Sequence, residues 1–85
     1  MEYIFSKHAS EQILNRGIKE SNVTETMSHP DEIIHENDNQ LIYQKLFINQ
    51  GVINTYMIRV FINANTNPSV IKTVYLTTQL IKYLK

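Results

Sequence analysis

The sequence predicts a single α+β domain, in which two N-terminal helices pack on a four-stranded antiparallel sheet and a short helix ends the chain. The 85 residues are enough for one modest core, and the start and stop signals of the two predicted N-terminal helices lie in the first third of the chain. Runs of β-branched and aromatic residues, joined by short polar loops, fill most of the remainder. The helical hairpin is predicted over about residues 6–29, the sheet over about 31–78 and the last helix over about 79–84.

The first helix is bounded by two signals. Ser6 is a favourable N-cap for a helix that begins at Lys7 and ends at about Arg16. Gly17 stands where the glycine that follows a helix is expected. The Tyr3–Phe5 segment before this helix is predicted to be a brief extended start.

The second helix is predicted from its cap and from a proline. Ser21 or Asn22 can cap it, and Val23 and Met27 lie four residues apart, which places them on one face. Pro30 ends the helix, because the residue before a proline is disfavoured in the helical conformation. The two helices together form the predicted hairpin.

Four strands are predicted from alternating side chains and from the turn residues between them. The clusters at 37–39 and 49–51 indicate tight turns, and the segment 63–69, which contains Pro68, indicates a longer loop. The strands are predicted over residues 31–36, 40–48, 52–62 and 70–77.

One face of this sheet is predicted to be polar and free of acidic residues. Successive strand side chains point to opposite faces, and the helices are expected to cover the faces rich in valine and isoleucine. The residues assigned to the other face are Tyr43, Lys45, Arg59, Thr73, Tyr75 and Thr77. A solvated sheet surface explains this set on composition alone. A surface for a nucleic acid also explains it, since arginine matches phosphate and tyrosine stacks on unpaired bases.

Charge is divided unevenly along the chain. Residues 1–40 contain three basic and eight acidic residues, a net −5, and residues 41–85 contain five basic and no acidic residues, a net +5. Such a division indicates either an anionic partner or attraction between the two halves of the fold, and both can hold.

Composition excludes several classes of site. The chain has no cysteine, which excludes disulfides, thiol nucleophiles and zinc–thiolate sites, and a reducing cytoplasm is the simplest compartment. Its two glycines form no phosphate-binding loop, and His8, His29 and His35 fit no metal-binding spacing. No apolar run approaches the roughly 20 residues of a membrane span, and the N-terminus lacks the layout of a signal peptide. We therefore expect no cofactor, no metal and no membrane partner.

Three polar residues of the first helix share one stripe. His8, Gln12 and Arg16 are spaced by four, at the edge of the face that Ala9 and Ile13 bury. A histidine there can act as a general base near neutral pH, and an arginine there can stabilise the charge of a phosphoryl transition state. A solvated helix flank is the simpler explanation of the same stripe.

The segment from His8 to Ile18 resembles the opening motif of a bacterial family, domain of unknown function 4258. That motif is His-Ala, an Arg or Gln four residues after the His, and then Arg-Gly-Ile. The resemblance continues with Val23 and the His29–Asp31 turn. It ends at Ile71–Tyr75, which is similar to the closing Thr-Val-Tyr strand of the family, so it covers nearly the whole chain.

The resemblance implies a fold and an activity. The family is placed with the barnase–EndoU–colicin–RelE group of small nucleases, whose usual fold is two helices on a four-stranded antiparallel sheet with RNA cleaved on the open face. Members of that group occur as toxins of toxin–antitoxin pairs and as the tips of secreted toxins. The implied partners are therefore RNA (mRNA or tRNA) and an antitoxin or immunity protein that covers the sheet face. The implied location is the cytoplasm, or the cytoplasm of a target cell.

The resemblance carries over His8, Arg16, Thr73 and Tyr75, while Gln12 stands where the family frequently has arginine. The implied chemistry is attack of a ribose 2′-OH on the adjacent phosphate without a metal. His8 is expected to act as base or acid, Arg16 and Arg59 as phosphate clamps. The predicted catalytic residues are His8, Arg16, Arg59, Thr73 and Tyr75. The predicted RNA-binding residues are Gln12, Tyr43, Lys45, Thr77 and Lys82.

Two alternatives stay open. A non-catalytic protein of the same fold would bind RNA or protein as an accessory factor, with salt-sensitive binding and no cleavage. An orphan structural domain would use the basic face only as a wet sheet surface. Lys82, near a helix C-terminus, is also an ordinary partner of the helix dipole.

Overall fold

The computed structural model of the chain describes residues 2–49 and 54–80. Two helices and five strands lie in this part of the chain. They are β1 (Tyr3–Phe5), α1 (Lys7–Asn15), α2 (Glu20–Ser28), β2 (Glu32–Asn37), β3 (Gln40–Asn49), β4 (Asn54–Asn63) and β5 (Ser69–Thr77). The strands form one sheet in the order β1-β5-β4-β3-β2, in which β1 is parallel to β5 and all other neighbours are antiparallel.

The predicted four-stranded antiparallel sheet is therefore wrong, although its four strands are present as β2 to β5. The extended start at Tyr3–Phe5 is a fifth strand, which pairs in parallel with Ser69–Ile71. Three residues are too few to show the alternation by which a strand is recognised, so this pairing left no signal in the sequence. The C-terminal helix predicted over 79–84 is not seen at Gln79, and residues 81–84 lie outside the described residues.

The caps of α1 match their prediction. The Ser6 hydroxyl accepts a hydrogen bond from the Ala9 backbone N–H at 3.0 Å, which satisfies one of the free donors of the first turn. Gly17 follows the helix with a φ of 64°, a conformation that glycine adopts without steric strain. The chain then turns directly into the buried Ile18.

The predicted cap of α2 is wrong. The helix begins at Glu20 with Lys19 in the N-cap position, so neither Ser21 nor Asn22 caps it. The Asn22 side chain instead donates to the Tyr56 hydroxyl on β4 at 3.0 Å. A tertiary contact has replaced the local one. The predicted end before Pro30 is confirmed, since α2 ends at Ser28.

Both helices pack on one face of the sheet, where the core lies. The buried apolar side chains of this core come from α1, the loop between the helices, α2, β4 and β5. They are Ala9, Ile18, Val23, Met27, Ile58, Val60, Ile62, Ile71 and Val74. We call the opposite side of the sheet the outer face. The strand registers assign to it Glu32 of β2, Gln40, Ile42 and Gln44 of β3, Met57, Arg59 and Phe61 of β4, and Lys72, Thr73, Tyr75 and Thr77 of β5.

The face predicted for Tyr43 and Lys45 is wrong. Tyr43 lies opposite Val60 and Lys45 opposite Ile58, so both side chains are on the helix side, and Tyr43 packs against the core. Strand β3 has apolar residues on both faces, which means that its own pattern does not decide which face is buried. A shift of one residue in such a strand reverses every side chain.

A β-bulge at Lys72 changes the face of β5 midway. Phe61 lies opposite Thr73, but the next residue, Ile62, lies opposite Ile71, so Lys72 is the extra residue. Because of the bulge, both Ile71 and Val74 are fully buried on the helix side, whereas strict alternation assigns them to opposite faces.

Replacing Gly17 by alanine is expected to lower the free energy of unfolding by about 1–2 kcal/mol, because an L-residue at positive φ brings its Cβ close to a carbonyl oxygen. Apart from Gly17 itself and its two neighbours in the chain, no atom lies within 4 Å of a Cβ built at this position, so the loss would reflect local backbone conformation and not packing. Urea denaturation checks the value. Gly17→Asn is the matched control and should lose less, since asparagine tolerates this conformation better. An alanine variant as stable as the parent would contradict the argument.

Candidate nucleic-acid interface

A row of polar side chains crosses the outer face from β2 to β5. Glu32, Gln44, Arg59 and Tyr75 occupy directly opposed positions on the four successive strands. The Arg59 Nε donates to the Gln44 Oε1 at 3.1 Å, and the Gln44 Nε2 donates to the Glu32 Oε1 at 2.7 Å. We call these four residues the transverse row.

Helix α1 adds a second arginine at the β5 end of the transverse row. The Arg16 Cζ lies 5.9 Å from the centroid of the Tyr75 ring, within the range of a cation–π contact. The Arg59 Cζ lies 5.2 Å from the centroid of the Phe61 ring on the same face. Tyr75 therefore has a guanidinium over its ring and another on the opposed residue of β4. Two guanidinium groups beside an aromatic ring can bind a phosphate and a base together.

The position of Arg16 depends on how α1 meets the edge of β5. Beyond the residues that pair with β1, polar groups of Ser6 and Gln12 form hydrogen bonds with this edge of β5. The Ser6 backbone N–H donates to the Ile71 carbonyl at 2.9 Å, and its hydroxyl donates to the Lys72 carbonyl at 3.2 Å. The Gln12 Oε1 accepts from the Val74 backbone N–H at 3.0 Å. The helix thus runs beside β5 in the same direction. Gln12 supplies the acceptor that a neighbouring strand would otherwise provide for the Val74 N–H.

This contact gives Gln12 a structural partner that its prediction as an RNA-binding residue did not anticipate. Its acceptor oxygen is committed to the backbone of Val74, which is fully buried. The stripe of His8, Gln12 and Arg16 is confirmed in one respect, because Gln12 and Arg16 both contact β5.

His8 is exposed and lies one turn before Gln12, two residues after the Ser6 that binds the Lys72 carbonyl. Eight residues separate it from Arg16, a distance of about 12 Å along the helix axis. Within residues 2–49 and 54–80, no hydrogen bond or ring contact joins His8 to Tyr75. Of the three stripe residues, Gln12 and Arg16 are those with a described contact to β5.

The threonines of β5 lie on the predicted face. Thr73 is half-buried opposite Phe61. Thr77 is buried, and its hydroxyl accepts from the Gln79 backbone N–H at 3.0 Å. Thr73 is thus open to a ligand, and the hydroxyl of Thr77 already has a partner.

Lys72 is a cation of the outer face, although strict alternation along β5 would place it on the helix side with Val74. Its Nζ donates to the Gln40 Oε1 of β3. Only the bulge brings Lys72 to this side, and a bulge has no composition signal in this strand. No pattern in the sequence would have identified it.

Three predicted RNA-binding residues lie away from the row or outside the described chain. Tyr43 packs on the core side. The Lys45 Nζ donates to the His29 carbonyl at 2.8 Å and lies 3.6 Å from the Asp31 Oδ1, also on the helix side. Lys82 lies outside the described residues.

The outer face is less open and less uniformly basic than predicted. The prediction that this face has no acidic residue is wrong, because Glu32 lies at the β2 end of the transverse row. Gln44 and Met57, in the middle of the face, are each 2% exposed. The described cations of this side are Arg59 and Lys72 on the strands and Arg16, which α1 brings to Tyr75. We call the margin where α1 meets β5 the α1–β5 strip and count in it His8, Arg16, Lys72, Thr73 and Tyr75.

In the part of the chain that the structure describes, no group of three or more histidine and acidic side chains could hold a metal ion. None of the helices in that same part is long and apolar enough to cross a membrane.

Comparison with known families identifies the domain. A family model described as a domain of unknown function, DUF4258, matches residues 5–76. The chain belongs to this family. The matched region runs from the end of β1 almost to the end of β5, so it contains the whole α1–β5 strip and the transverse row. No curated protein and no solved structure matches the sequence significantly.

Replacing Gln12 by methionine is expected to lower the free energy of unfolding by about 1–3 kcal/mol, because the buried Val74 N–H loses its acceptor. Hydrogen exchange at the Val74 amide should accelerate more than exchange at residues of β3. Gln12→Glu is the matched control, because it keeps an acceptor oxygen at the same position. Equal exchange at Val74 in the methionine variant and the parent would show that the bond has no energetic role.

Proposed function

We propose that this DUF4258 protein binds single-stranded RNA along the α1–β5 strip and cleaves it without a metal ion. The observation that supports the proposal is the convergence of Arg16, Tyr75 and Arg59 at one end of the transverse row. We further propose that the protein acts as a toxin of the RelE-like group, in a toxin–antitoxin or secreted-toxin system, on mRNA or tRNA in the cytoplasm it occupies.

The chemistry of the strip favours a single-stranded nucleic acid over other anions. Guanidinium groups donate paired hydrogen bonds to phosphate oxygens, and a tyrosine ring stacks on a base that is not already paired. Tyr75 is half-buried and Arg16 is exposed, so both are accessible from the edge of the sheet. A ligand with one phosphate and no aromatic group would use only part of this surface.

The proposed cleavage uses groups of the strip together with Arg59 of the transverse row. A base removes the proton of a ribose 2′-OH, the 2′ oxygen attacks the adjacent phosphorus, and the 5′ oxygen leaves with a proton from an acid. His8 acts as the base or the acid. Arg16 and Arg59 stabilise the charge of the pentacovalent transition state. Thr73 donates to a phosphate oxygen, and Tyr75 positions the substrate or donates the leaving-group proton.

The spacing along α1 constrains how these roles are shared. His8 and Arg16 are about 12 Å apart along the helix. In the proposed complex they contact neighbouring parts of one RNA strand, with His8 near the start of α1 and Arg16 beside Tyr75. The scissile phosphate lies between them in this arrangement.

A second function, RNA binding without cleavage, is favoured by one specific observation. Gln12 stands where the family frequently has arginine, and its side chain holds the backbone of Val74. The strip has one cation fewer than that motif would supply, and no described contact joins His8 to Tyr75. An accessory protein that binds RNA needs the cations and the ring and does not need this contact.

The partner that would restrain a toxin of this kind is an antitoxin or immunity protein. We propose that it covers the α1–β5 strip, because a bound partner there would displace RNA directly. Acidic side chains opposite Arg16 and Lys72 are the expected complement.

Purified protein is expected to cleave single-stranded RNA in the presence of EDTA and to leave a 2′,3′-cyclic phosphate, because the attacking group is the 2′-OH. His8→Ala should slow cleavage by about 100-fold or more, the usual contribution of a positioned acid or base. Denaturing gels of an end-labelled oligonucleotide measure the rate. Lys45→Gln, which removes a charge from the helix side, is the control and should cleave like the parent.

The same assay separates the two functions. RNA that carries a 2′-deoxy substitution at the cleavage site should bind and stay intact. If the parent protein binds this RNA and the unmodified RNA equally and cleaves neither, the nuclease function is rejected and RNA binding without cleavage is supported. Cleavage that survives both His8→Ala and Arg16→Ala would show that the catalytic site is elsewhere.

Arg16→Gln is expected to weaken binding of the uncleaved RNA and to make it less sensitive to salt. Each phosphate contact on a single strand contributes about 0.7 to the slope of log affinity against log salt concentration. Fluorescence anisotropy at several salt concentrations measures the slope. Lys19→Gln, at the start of α2, is the matched control. An unchanged slope in Arg16→Gln would exclude this arginine from the phosphate contacts.

A further inference from the structure

The sheet ends differently at its two sides. At the β5 side, β1, Ser6 and Gln12 form hydrogen bonds with the strand edge, and β1 itself has only 3 residues. At the other side the last strand is β2, which has 6 residues and pairs only with β3 within residues 2–49 and 54–80. The backbone N–H and carbonyl groups that point away from β3 are therefore available to another strand.

The helices lie away from β2. Helix α1 packs on β5, and α2 packs on β4 and β3. The side chain of Ile33 lies opposite Tyr43 and so points to the helix side, yet it is 41% exposed. A strand added beside β2 would cover this side chain and satisfy the backbone groups of the edge at the same time.

The middle of β2 is apolar on both faces. Ile33 points to the helix side, and Ile34 lies opposite the buried Ile42 on the outer face. Edge strands that are protected against pairing commonly carry a charge or a proline at such positions. The bulge of β2 comes only after His35, so the four residues Glu32–His35 form a regular strand. We call the free side of these four residues the β2 edge.

Acidic residues flank this apolar centre. Asp31, Glu32, Glu36 and Asp38 lie in a segment, residues 31–38, that contains no lysine or arginine. Asp31 lies 3.6 Å from the Lys45 Nζ, whereas Glu36 and Asp38 are exposed and belong to no ion pair of the described residues. The β2 edge is therefore an apolar centre between negative ends.

This charge pattern selects the kind of strand that fits. A second copy of the chain, paired along β2, would bring two acidic segments together, and like charges on neighbouring strands are destabilising. A segment with lysine or arginine on both sides of an apolar centre is complementary in charge and in polarity.

We propose that the β2 edge is a docking site for another protein, which adds an extended basic segment to the sheet as a further strand. The added segment places apolar side chains beside Ile33 and Ile34 and basic side chains beside the flanking acids. Main-chain hydrogen bonds supply affinity in this mode of recognition, and the alternating side chains supply specificity. The proposal goes beyond RNA binding and does not rest on it.

The β2 edge and the α1–β5 strip can be occupied together. Strands β3 and β4 separate β2 from β5, and three strand spacings amount to about 14 Å. The two surfaces also attract ligands of opposite charge, because the strip carries Arg16 and Lys72. A partner held at the β2 edge therefore leaves the strip accessible.

The test uses the whole protein and a synthetic peptide, acetyl-Lys-Lys-Val-Val-Lys-Lys-amide, followed by NMR. The peptide should shift the backbone amide signals of Glu32–His35. It should also slow the hydrogen exchange of those β2 amides that point away from β3, because only an added strand accepts their N–H groups. The control peptide has glutamate in place of every lysine and should not bind.

Two variants test the contributions of the apolar centre and of the acids. Ile33→Lys is expected to weaken binding of the peptide by about 3- to 10-fold, because it removes a cross-strand apolar contact and adds a like charge. Leu14→Lys is the matched control, since it places the same charge at an exposed apolar position on α1, and it should bind like the parent. Glu36→Gln with Asp38→Asn should weaken binding and make it less sensitive to salt. Urea denaturation of each variant checks that the fold is retained.

Several outcomes would overturn the proposal. Shifted signals without slower exchange would show that the peptide is attracted to an acidic surface and adds no strand. Signals of β2 that change with protein concentration when no peptide is present would make a second copy the occupant. Equal binding of the glutamate peptide would exclude charge complementarity, and no shift at β2 would show that the edge is protected against pairing. None of these measurements involves RNA, so failure of the proposed function leaves them unaffected.

Discussion

The closing of the β5 edge is the constraint on which both the fold and the candidate site depend. An unpaired strand edge must find partners for its N–H and carbonyl groups. Strand β1 supplies them over Ser69–Ile71 only. Ser6 and Gln12 then supply them as far as Val74, and this fixes the height of α1 along the strand. Because α1 is held at that height, Arg16 reaches the ring of Tyr75. The same contacts that complete the sheet therefore assemble the α1–β5 strip.

The bulge in β5 serves both sides of the sheet. Without the extra residue at Lys72, Ile71 and Val74 could not both face the helices, and one large apolar side chain would leave the core. With it, the displaced position becomes a cation on the outer face, hydrogen-bonded to Gln40. The carbonyl of Lys72 is also the one that Ser6 binds. Lys72 thus contributes to the packing of the core, to the hydrogen bonding of the β5 edge and to the charge of the outer face.

Much of this arrangement was predictable from the sequence, and the failures have identifiable causes. The caps at Ser6 and Gly17, the stripe of α1 and the strands β2 to β5 follow from local signals that the structure keeps. Strand β1 and the cap of α2 were missed because long-range contacts decide them: the pairing with β5, and the bond from Asn22 to Tyr56. Tyr43 and Lys45 were assigned to the wrong face because β3 is apolar on both sides, so only its register with β4 identifies the buried one.

The polarity of the outer face favours one path for a bound strand. A chain of phosphates lying along the transverse row would start at Arg16 and Arg59 and finish against the carboxylate of Glu32. A chain lying along β5 would avoid that carboxylate. Lys72 and Tyr75 are three residues apart on the strand, about 10 Å. His8 and Arg16 are about 12 Å apart on the helix beside it. The polar groups on the two sides of the strip therefore extend over nearly equal lengths, which would suit an RNA strand, the proposed ligand, that follows β5.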